Sequence, residues 1–333
     1  MARYNASMAI SLPTIDDIDA AAQILAPVAI RTPLISSPAI DQHLGARVYF
    51  KLEMLQRTGS FKFRGAFNKI SAIPKAERSA GVVAFSSGNH AQGVAAAAQL
   101  LSMPATIVMP ADAPLLKRQR TEAYGSEIVL YDRDNEDREE IARAIAKKKG
   151  ATLVPPFDDT KIIAGQGTVG REIAQDLEAL GVVPDIVSTP ASGGGLMAGV
   201  ALAISAKFPN ASLVTAEPMG FDDHARSFAS GHREPHRAEG RTICDALMAS
   251  IPGELTFAIN SRLVSRGVTA SDEEVGAAVA QAFTELKVVV EPGGAVALAA
   301  LLAGRLDAKG KTVVIVLSGG NVDADLFARL ISN

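Results

Sequence analysis

Short apolar runs alternate along this chain with longer segments of helical spacing. The runs are rich in β-branched residues, as buried strands are. The alternation predicts an α/β fold in which helices cover both faces of parallel sheets. The predicted strands are Arg47–Leu52, Gly81–Phe85, Ala105–Met109, Glu127–Tyr131, Asp185–Thr189, Ser212–Glu217 and Thr312–Leu317, and the main predicted helices are Ala91–Leu101, Glu136–Lys149, Gly167–Leu180 and Asp272–Leu286.

Composition narrows the class of protein. With 333 residues, 48% of them hydrophobic, the chain can bury a large core and is expected to form two domains. A net charge of −3 without a long basic run predicts no nucleic-acid or anionic-membrane partner. No transmembrane helix, signal peptide or internal disulfide framework is expected, because the apolar runs are short and Cys244 is the single cysteine. These features predict a cytoplasmic globular protein.

Two stretches carry the first chemical signal. In Ser60–Gly65, a lysine lies between two aromatic residues. A buried ammonium is costly unless it is paired or consumed in a covalent bond, and an imine with an aldehyde cofactor makes Lys62 the reactive centre. Ser86–His90 is a tight polar turn that enters a helix and suits an anion on free backbone N–H groups. Together the two stretches indicate a pyridoxal phosphate enzyme.

Three successive glycines lie between a predicted strand and the helical pattern Leu196–Ala206. Glycines let the backbone curl so that several N–H groups face one phosphate at the helix N-terminus. A flexible turn is the alternative. The predicted phosphate-binding residues are Gly193, Gly194, Gly195 and Leu196.

Four motifs occur in a fixed order along the chain. They are Ser60–Gly65, Ser86–His90, Ser192–Leu196 and Ser318–Asn321. In these motifs and their spacing, the sequence resembles the fold-type II pyridoxal phosphate enzymes, within the group of threonine/serine dehydratases and serine racemases. The resemblance covers roughly residues 12 to 330.

The resemblance implies a fold and an assembly. The fold is tryptophan synthase beta-like, with two open, mostly parallel twisted sheets flanked by helices. Residues 1–54 and 151–333 are expected to form a large cofactor-binding domain, and residues 55–150 a small one. A homodimer is also implied. Because the sequence ends soon after the Ser318 motif, the C-terminal regulatory domain of isoleucine-inhibited relatives is not expected.

The resemblance also implies roles around the cofactor ring. Lys62 would form the Schiff base, and Phe61 would lie against the ring. Asn89 would hydrogen-bond the ring hydroxyl, and Glu291 would border the ring. Ser318 would face the ring nitrogen. A hydroxyl cannot keep that nitrogen protonated as a carboxylate would, which favours β-elimination over transamination.

On the substrate side, the resemblance implies that a polar turn holds the substrate carboxylate. Its residues are Ser86, Ser87, Asn89 and His90. Ser87 matches the position that handles a proton opposite the lysine in serine racemases, although a plain helix cap is compatible with this sequence. Arg138 matches a position near the substrate, with a solvated helix face as the alternative.

A divalent cation is a further expectation. Glu217 ends a predicted strand, and Asp223 lies six residues later, with the carbonyl of Phe221 between them. Hard cations prefer such oxygen ligands, and relatives that bind a divalent ion have this spacing. The sequence therefore predicts a Mg²⁺ or Ca²⁺ site, against the alternative of an ordinary acidic loop.

One glycine-rich stretch is not expected to bind a dinucleotide. Gly165–Gly170 fits a dinucleotide-binding pattern, with Asp185 farther along the chain. Such a motif should follow a strand and have its acidic residue at the end of the next strand. Neither condition is met, so no nicotinamide cofactor is expected.

The expected function is a dehydratase, or ammonia-lyase, that acts on a small β-hydroxy-α-amino acid. L-Threonine or L-serine is the expected substrate, with a 2-oxo acid and ammonia as products. A serine racemase is the first alternative, using Lys62 and Ser87 on opposite faces. A β-hydroxyaspartate dehydratase is another, and it would need an extra cation such as Arg138. A catalytically silent ligand-binding relative is the alternative from a different class.

Overall fold

The computed structural model describes residues 11–86, 88–113, 115–237 and 240–332. In this part of the chain, short strands alternate with helices as the sequence predicted. The strands are β1 (Leu34–Ser36), β2 (Arg47–Leu52), β3 (Val82–Phe85), β4 (Ala105–Pro110), β5 (Glu127–Tyr131), β6 (Thr152–Leu153), β7 (Ile186–Pro190), β8 (Ser212–Pro218), β9 (Arg266–Ala270) and β10 (Thr312–Leu317).

Helices lie between most of the strands. They are α1 (Ile15–Leu25), α2 (Pro38–Leu44), α3 (Lys62–Ser71), α4 (Asn89–Leu100), α5 (Leu115–Glu122), α6 (Arg138–Lys149), α7 (Thr160–Ala179), α8 (Gly195–Lys207), α9 (Asp223–Ser230), α10 (Glu254–Leu263), α11 (Asp272–Gln281), α12 (Pro292–Leu302) and α13 (Ala324–Ile331).

The strands form two sheets. One has the order β1-β2-β10-β7-β8-β9, and the other has the order β5-β4-β3-β6. Every pairing is parallel except the antiparallel pair of β1 and β2. Val313 of β10 is aligned with both Val48 and Ile186, so β10 lies inside the larger sheet. The predicted α/β fold of two mostly parallel sheets with flanking helices is confirmed.

The centre of the larger sheet explains its near-continuous apolar sequence. Val313 to Leu317 of β10 are all fully buried, as expected for a parallel strand covered on both faces. Helix α12 is buried almost all round and contains mostly Ala, Leu, Val and Gly. It packs against β10 and its neighbours. The core thus places the C-terminal end of β10, and with it the Ser318 motif, in a rigid setting.

The glycine-rich stretch Gly165–Gly170 lies inside helix α7 rather than in a strand-to-helix turn. A Cβ on Gly199 of α8 would lie 2.4 Å from the backbone nitrogen of Gly167, so these glycines allow α7 and α8 to pack closely. The stretch therefore lacks the strand-to-helix turn that a dinucleotide-binding motif requires. Helix α7 begins at Thr160, seven residues earlier than predicted, because the Asp159 side chain accepts hydrogen bonds from the first-turn N–H groups.

Other boundaries shifted for local reasons. The predicted helix Asp272–Leu286 ends as an α-helix at Gln281 and continues as the π-helical segment Ala282–Leu286. The predicted helix Glu136–Lys149 begins at Arg138, after the capping carboxylate of Asp137. The strands β1, β6 and β9 were not predicted. Two of them are very short, and β9 carries a glycine that weakens its strand pattern.

Two further expectations concern the whole chain. The assignment of residues 1–54 and 151–333 to one domain and of 55–150 to another stays a prediction. No helix in the described part of the chain combines the length and apolar character that crossing a membrane requires.

Candidate active site

The four sequence motifs meet around one cavity of about 220 Å³. Three of them follow β3, β7 and β10 at the carboxyl ends of these strands, where open parallel sheets bind ligands. The fourth is the turn before α3. The motif residues that line the cavity are Phe61, Lys62, Ser86, Gly88, Asn89, His90, Ser192, Gly193, Gly194, Gly195, Leu196 and Ser318, together with Glu291.

Lys62 is the first residue of α3, and its side chain opens onto this cavity. Its Nζ donates a hydrogen bond to the Pro156 carbonyl at 2.8 Å and lies 5.2 Å from the centre of the Phe61 ring. Burial lowers the pKa of Lys62 to about 8. A larger fraction of this amine is therefore neutral near pH 7 than for an exposed lysine, and a neutral amine can act as a nucleophile or a base.

Backbone contacts hold Lys62 beside the Ser318 motif. The Phe61 N–H donates to the Ser318 carbonyl at 3.2 Å, and Ser60 forms an isolated bridge with Gly319. Ser318 itself follows β10 and is 5% exposed. Two motifs that are about 250 residues apart in the sequence thus form one wall of the cavity.

Asn89 lies in a short chain of hydrogen bonds. Its Nδ2 donates to Glu291 Oε1 at 2.6 Å, and its Oδ1 accepts from Asn321 Nδ2 at 2.7 Å. Burial, with a further contribution from the negative charge of Asp245, raises the pKa of Glu291 to about 8. These contacts fix the orientation of the Asn89 amide. No role was predicted for Asn321, because its partner Asn89 is 232 residues away in the sequence.

The loop before α8 has the shape of an anion cradle. Gly194 has a φ of +91°, and no side chain among the described residues caps the first N–H groups of α8. A Cβ on Gly193 would lie 2.2 Å from the Phe157 ring, so only glycine fits there. Uncapped N–H groups at a helix N-terminus bind anions such as phosphate. The loop therefore fits the phosphate of the expected cofactor. Phe157 was not predicted, since nothing in its local sequence indicates this contact.

The predicted substrate turn also lines the cavity. Ser86 Oγ accepts a hydrogen bond from the Gly88 N–H at 3.2 Å. His90 Nε2 is 2.9 Å from the Val154 carbonyl, and burial together with the charge of Lys62 lowers the pKa of His90 to about 3. This imidazole is therefore neutral. Ser87, predicted to be catalytic and to bind substrate, lies outside the described residues.

Three cationic side chains also line the cavity. Arg138 begins α6, and its guanidinium carbon lies 5.8 Å from the centre of the Phe85 ring. Arg133 pairs with Asp112 at 3.0 Å, and Lys117 pairs with Asp245. Within the described ranges, Arg138 is the member of this set without a carboxylate partner. The sequence indicated Arg138 and missed Lys117 and Arg133, whose charged surroundings are typical of solvated helices.

The predicted metal ligands are close together but away from the cavity lining. Glu217 is fully buried, and its carboxylate accepts the His224 and Ala225 N–H groups at 2.8 and 2.9 Å. Burial, and next the charge of Asp223, raises the pKa of Glu217 well above its usual range. Burial also raises the pKa of Asp223 to about 7. The buried Oδ2 of Asp223 has no hydrogen-bond partner in the described part of the chain.

Two buried carboxylates with an orphaned oxygen fit a bound cation, which would neutralise both. The third predicted ligand, Phe221, is 3% exposed and belongs to the turn between β8 and α9. No cluster of three or more His, Cys, Asp or Glu side chains suited to a metal ion occurs among the described residues. The candidate cation site thus depends on two carboxylates and one carbonyl.

Comparisons with known proteins found relatives that match over most of the chain. The family model described as pyridoxal-phosphate dependent enzyme matches residues 25–319. The chain is 45% identical to an L-threo-3-hydroxyaspartate ammonia-lyase of Pseudomonas sp, over 96% of this chain and 99% of the relative. It is 42% identical to an L-threonine ammonia-lyase of Thermotoga maritima, over 96% of this chain and 78% of the relative. The structure of maize serine racemase superposes with a TM-score of 0.90 at 38% identity, covering 97% and 98% of the two chains.

Proposed function

This chain belongs to the pyridoxal-phosphate dependent enzyme family, and from that premise we propose that it is an ammonia-lyase acting on L-threo-3-hydroxyaspartate. The family assignment and the ammonia-lyase relatives confirm the coarser part of the prediction from sequence. The products would be oxaloacetate and ammonia, because loss of the hydroxyl group leaves an enamine that hydrolyses to the 2-oxo acid. The observation that carries the choice of substrate is the Arg138 guanidinium in the cavity wall, which has no carboxylate partner in the described part of the chain.

Five side chains and one loop would hold pyridoxal phosphate. When bound, this cofactor withdraws electrons from the substrate's α-carbon and makes its proton acidic. The loop from Gly193 to Leu196 would bind the phosphate with its N–H groups. Phe61 would lie against the ring, Asn89 would donate to the ring hydroxyl and Ser318 would face the ring nitrogen, with Lys62 at the aldehyde carbon and Glu291 at the ring's edge.

Lys62 would move the proton of the reaction. Its half-buried amine has a pKa of about 8, so the neutral form needed to accept the α-proton at Nζ is available near neutral pH. The turn from Ser86 to His90 would bind the substrate's α-carboxylate. Because His90 is neutral, this turn would hold the carboxylate with hydrogen bonds rather than with a positive charge.

Arg138 would bind the second carboxylate of the substrate. A guanidinium can donate two parallel hydrogen bonds to one carboxylate. Arg133 and Lys117 already pair with Asp112 and Asp245, so they would add only to the positive potential of the wall. The methyl group of L-threonine or the hydrogen of L-serine would leave the Arg138 guanidinium without such a partner, which favours the diacid over these two substrates.

A substrate panel tests the proposal. Release of 2-oxo acid would be measured with L-threo-3-hydroxyaspartate, L-threonine and L-serine, for the wild type and for Arg138→Gln. We expect kcat/KM for the diacid to be the highest and to fall by about 10- to 100-fold in the variant, as for a lost charged hydrogen bond. The value for L-serine should change by less than about threefold.

Arg143→Gln is the matched control, because Arg143 lies on the same helix, pairs with exposed Glu139 and does not line the cavity in the described part of the chain. It should leave all three substrates unaffected. Faster wild-type turnover of L-threonine or L-serine would contradict the choice of substrate and favour the dehydratase predicted from sequence. Chiral analysis of the L-serine incubations would detect the alternative racemase as accumulation of D-serine ahead of 2-oxo acid.

We also propose that Glu217, Asp223 and the Phe221 carbonyl bind a divalent cation, Mg²⁺ or Ca²⁺, with a structural role. The support is the orphaned Oδ2 of Asp223 beside the buried carboxylate of Glu217. Adding either ion to chelator-treated protein should raise its melting temperature, since a ligand that binds only the folded state stabilises it. Asp223→Asn should abolish the rise. An unchanged melting temperature in the wild type would overturn this site.

A further inference from the structure

Three successive carbonyls of the phosphate loop each accept a hydrogen bond from a buried side chain behind the loop. His224 Nε2 lies 2.7 Å from the Ser192 carbonyl. Thr256 Oγ1 donates to the Gly193 carbonyl at 2.6 Å, and Asn260 Nδ2 donates to the Gly194 carbonyl at 3.2 Å. All three side chains are fully buried. We call His224, Thr256 and Asn260 the carbonyl clamp.

Two helices present the clamp. His224 is on α9, and Thr256 and Asn260 are one turn apart on the same face of α10. The start of α10 is held in turn by Asp158, whose carboxylate accepts the Glu254 and Leu255 N–H groups at 2.9 Å each. Asp158 follows Phe157, the residue that covers Gly193. The α10 part of the clamp, Thr256 and Asn260, is therefore fixed to the same segment that packs against the loop.

The direction of a carbonyl determines the direction of the next N–H. In a trans peptide, the C=O of one residue and the N–H of the following residue point to opposite sides of the same plane. The described residues contain no cis peptide. Holding the carbonyls of Ser192, Gly193 and Gly194 toward α9 and α10 thus turns the N–H groups of the next residues, Gly193 to Gly195, the other way.

We propose that His224, Thr256 and Asn260 are positioning residues that aim three consecutive N–H groups at the cofactor phosphate. Two of the three carbonyls have backbone donors as well. The Gly253 N–H bonds to the Gly193 carbonyl at 3.2 Å, and the Ala198 N–H bonds to the Gly194 carbonyl at 2.9 Å. Removing the Thr256 or Asn260 donor therefore leaves no carbonyl orphaned. We therefore expect these substitutions to change the direction in which the loop N–H groups point. This effect is the same whichever substrate the enzyme uses.

Thr256→Val removes the donor at constant shape, and Thr256→Ser retains it. Thr215→Val is the matched control, because Thr215 is equally buried on β8 and its Oγ1 has no hydrogen-bond partner among the described residues. Three quantities would be measured for each protein. They are the dissociation constant of pyridoxal phosphate by equilibrium dialysis, the ³¹P resonance of the bound phosphate, and the melting temperature of the cofactor-free protein.

We expect Thr256→Val to raise the dissociation constant by about fivefold, and Thr256→Val with Asn260→Leu by about tenfold or more, as for lost hydrogen bonds. Thr256→Ser and Thr215→Val should stay within about twofold of the wild type. The ³¹P resonance should shift in Thr256→Val and not in Thr215→Val, even where both lower the melting temperature equally.

Two results would overturn the proposal. One is a dissociation constant for Thr256→Val within twofold of the wild type, with an unshifted ³¹P resonance. The other is a loss of affinity that Thr256→Ser does not restore, since this would mark a packing effect of the threonine methyl group. If the double variant does not fold, the dissociation constants and ³¹P resonances of the single variants test the proposal.

Discussion

Two basic residues on the same helix have opposite surroundings. Arg64 and Lys62 are two positions apart in α3. Arg64 is fully buried among carboxylates, whereas Lys62 is half-buried and faces the cavity, with the Pro156 carbonyl as its polar partner. One helix turn thus carries both a cation that stays charged and an amine that readily loses its proton.

Arg64 belongs to a cluster of two cations and two carboxylates whose charges cancel. Its members are Arg64, Lys51, Glu53 and Glu172. Its guanidinium makes two hydrogen bonds of 2.8 Å to Glu53, and its Nη1 lies 2.7 Å from Glu172. Lys51 also pairs with Glu172, at 2.6 Å. Burial alone would lower the pKa of Arg64, but the charges and hydrogen bonds of Glu53 and Glu172 raise it above its usual range.

The comparison shows that partners, more than burial, separate a structural cation from a reactive amine. Desolvation disfavours the charged form of any group, and an opposite charge nearby restores it. Arg64 has two such charges, and Lys62 has none in the described part of the chain, so the pKa of Lys62 falls to about 8. Glu291 is the acidic counterpart, because burial raises its pKa to about 8.

The largest expected effect is on activity. Lys62→Ala should lower kcat for 2-oxo acid release by at least about 10³-fold, because the variant lacks the group that we propose takes the α-proton. Lys69→Ala is the control, since Lys69 lies on the same helix and pairs with Asp159 outside the cavity. If Lys62→Ala kept turnover within tenfold of the wild type, Lys62 would not be a reactive amine, and its contrast with the structural cation Arg64 would be wrong.

The next effect is on stability, measured by urea unfolding of the cofactor-free protein. Arg64→Met should lower the free energy of unfolding by about 3–5 kcal/mol, because it leaves Glu53 and Glu172 buried without their cation. Lys62→Met should not lower it, because no carboxylate in the described part of the chain loses a partner and a desolvated amine is removed. Equal losses in the two variants would show that the charge cluster does not stabilise the fold.

The smallest effect is on the pH dependence of stability. The pKa of Lys62 is about 8 in the folded protein and near the ordinary lysine value of 10.5 when unfolded, so between these two pH values the unfolded chain binds more protons. The free energy of unfolding of the wild type, relative to Lys62→Met, should therefore rise with pH across this window. The slope should be at most about 1.4 kcal/mol per pH unit. A flat difference would mean that Lys62 keeps an ordinary pKa.

Much of the site was predictable because its motifs follow strands. Ser86, Ser192 and Ser318 come within two residues of the ends of β3, β7 and β10, and parallel strands bring their carboxyl ends to one edge. Hydrophobic runs indicated these strands to within one or two residues. The sequence thereby predicted the fold and the gathering of the motifs, while the individual roles of their residues stay predictions.

What could not be predicted depends on contacts between distant residues. Arg64 belongs to the motif Ser60–Gly65, but no role was predicted for it, because its partner Glu172 is 108 residues away. Thr256 and Asn260 belong to an ordinary-looking helix, and only the fold turns them toward the glycine loop. Helix α7 was placed too late because glycines inside a helix look like a turn until the packing of α8 explains them.

The central claim is that the half-buried, unpaired amine of Lys62 is where the cofactor attaches. The most direct measurement is borohydride reduction of the cofactor-bound enzyme, followed by mass spectrometry of its peptides. We predict a stable pyridoxyl mass addition on Lys62 and on no other lysine, with Lys51 and Lys69 as internal controls held by carboxylates. Stoichiometric labelling of a different lysine, with Lys62 unmodified in an active enzyme, would contradict the account.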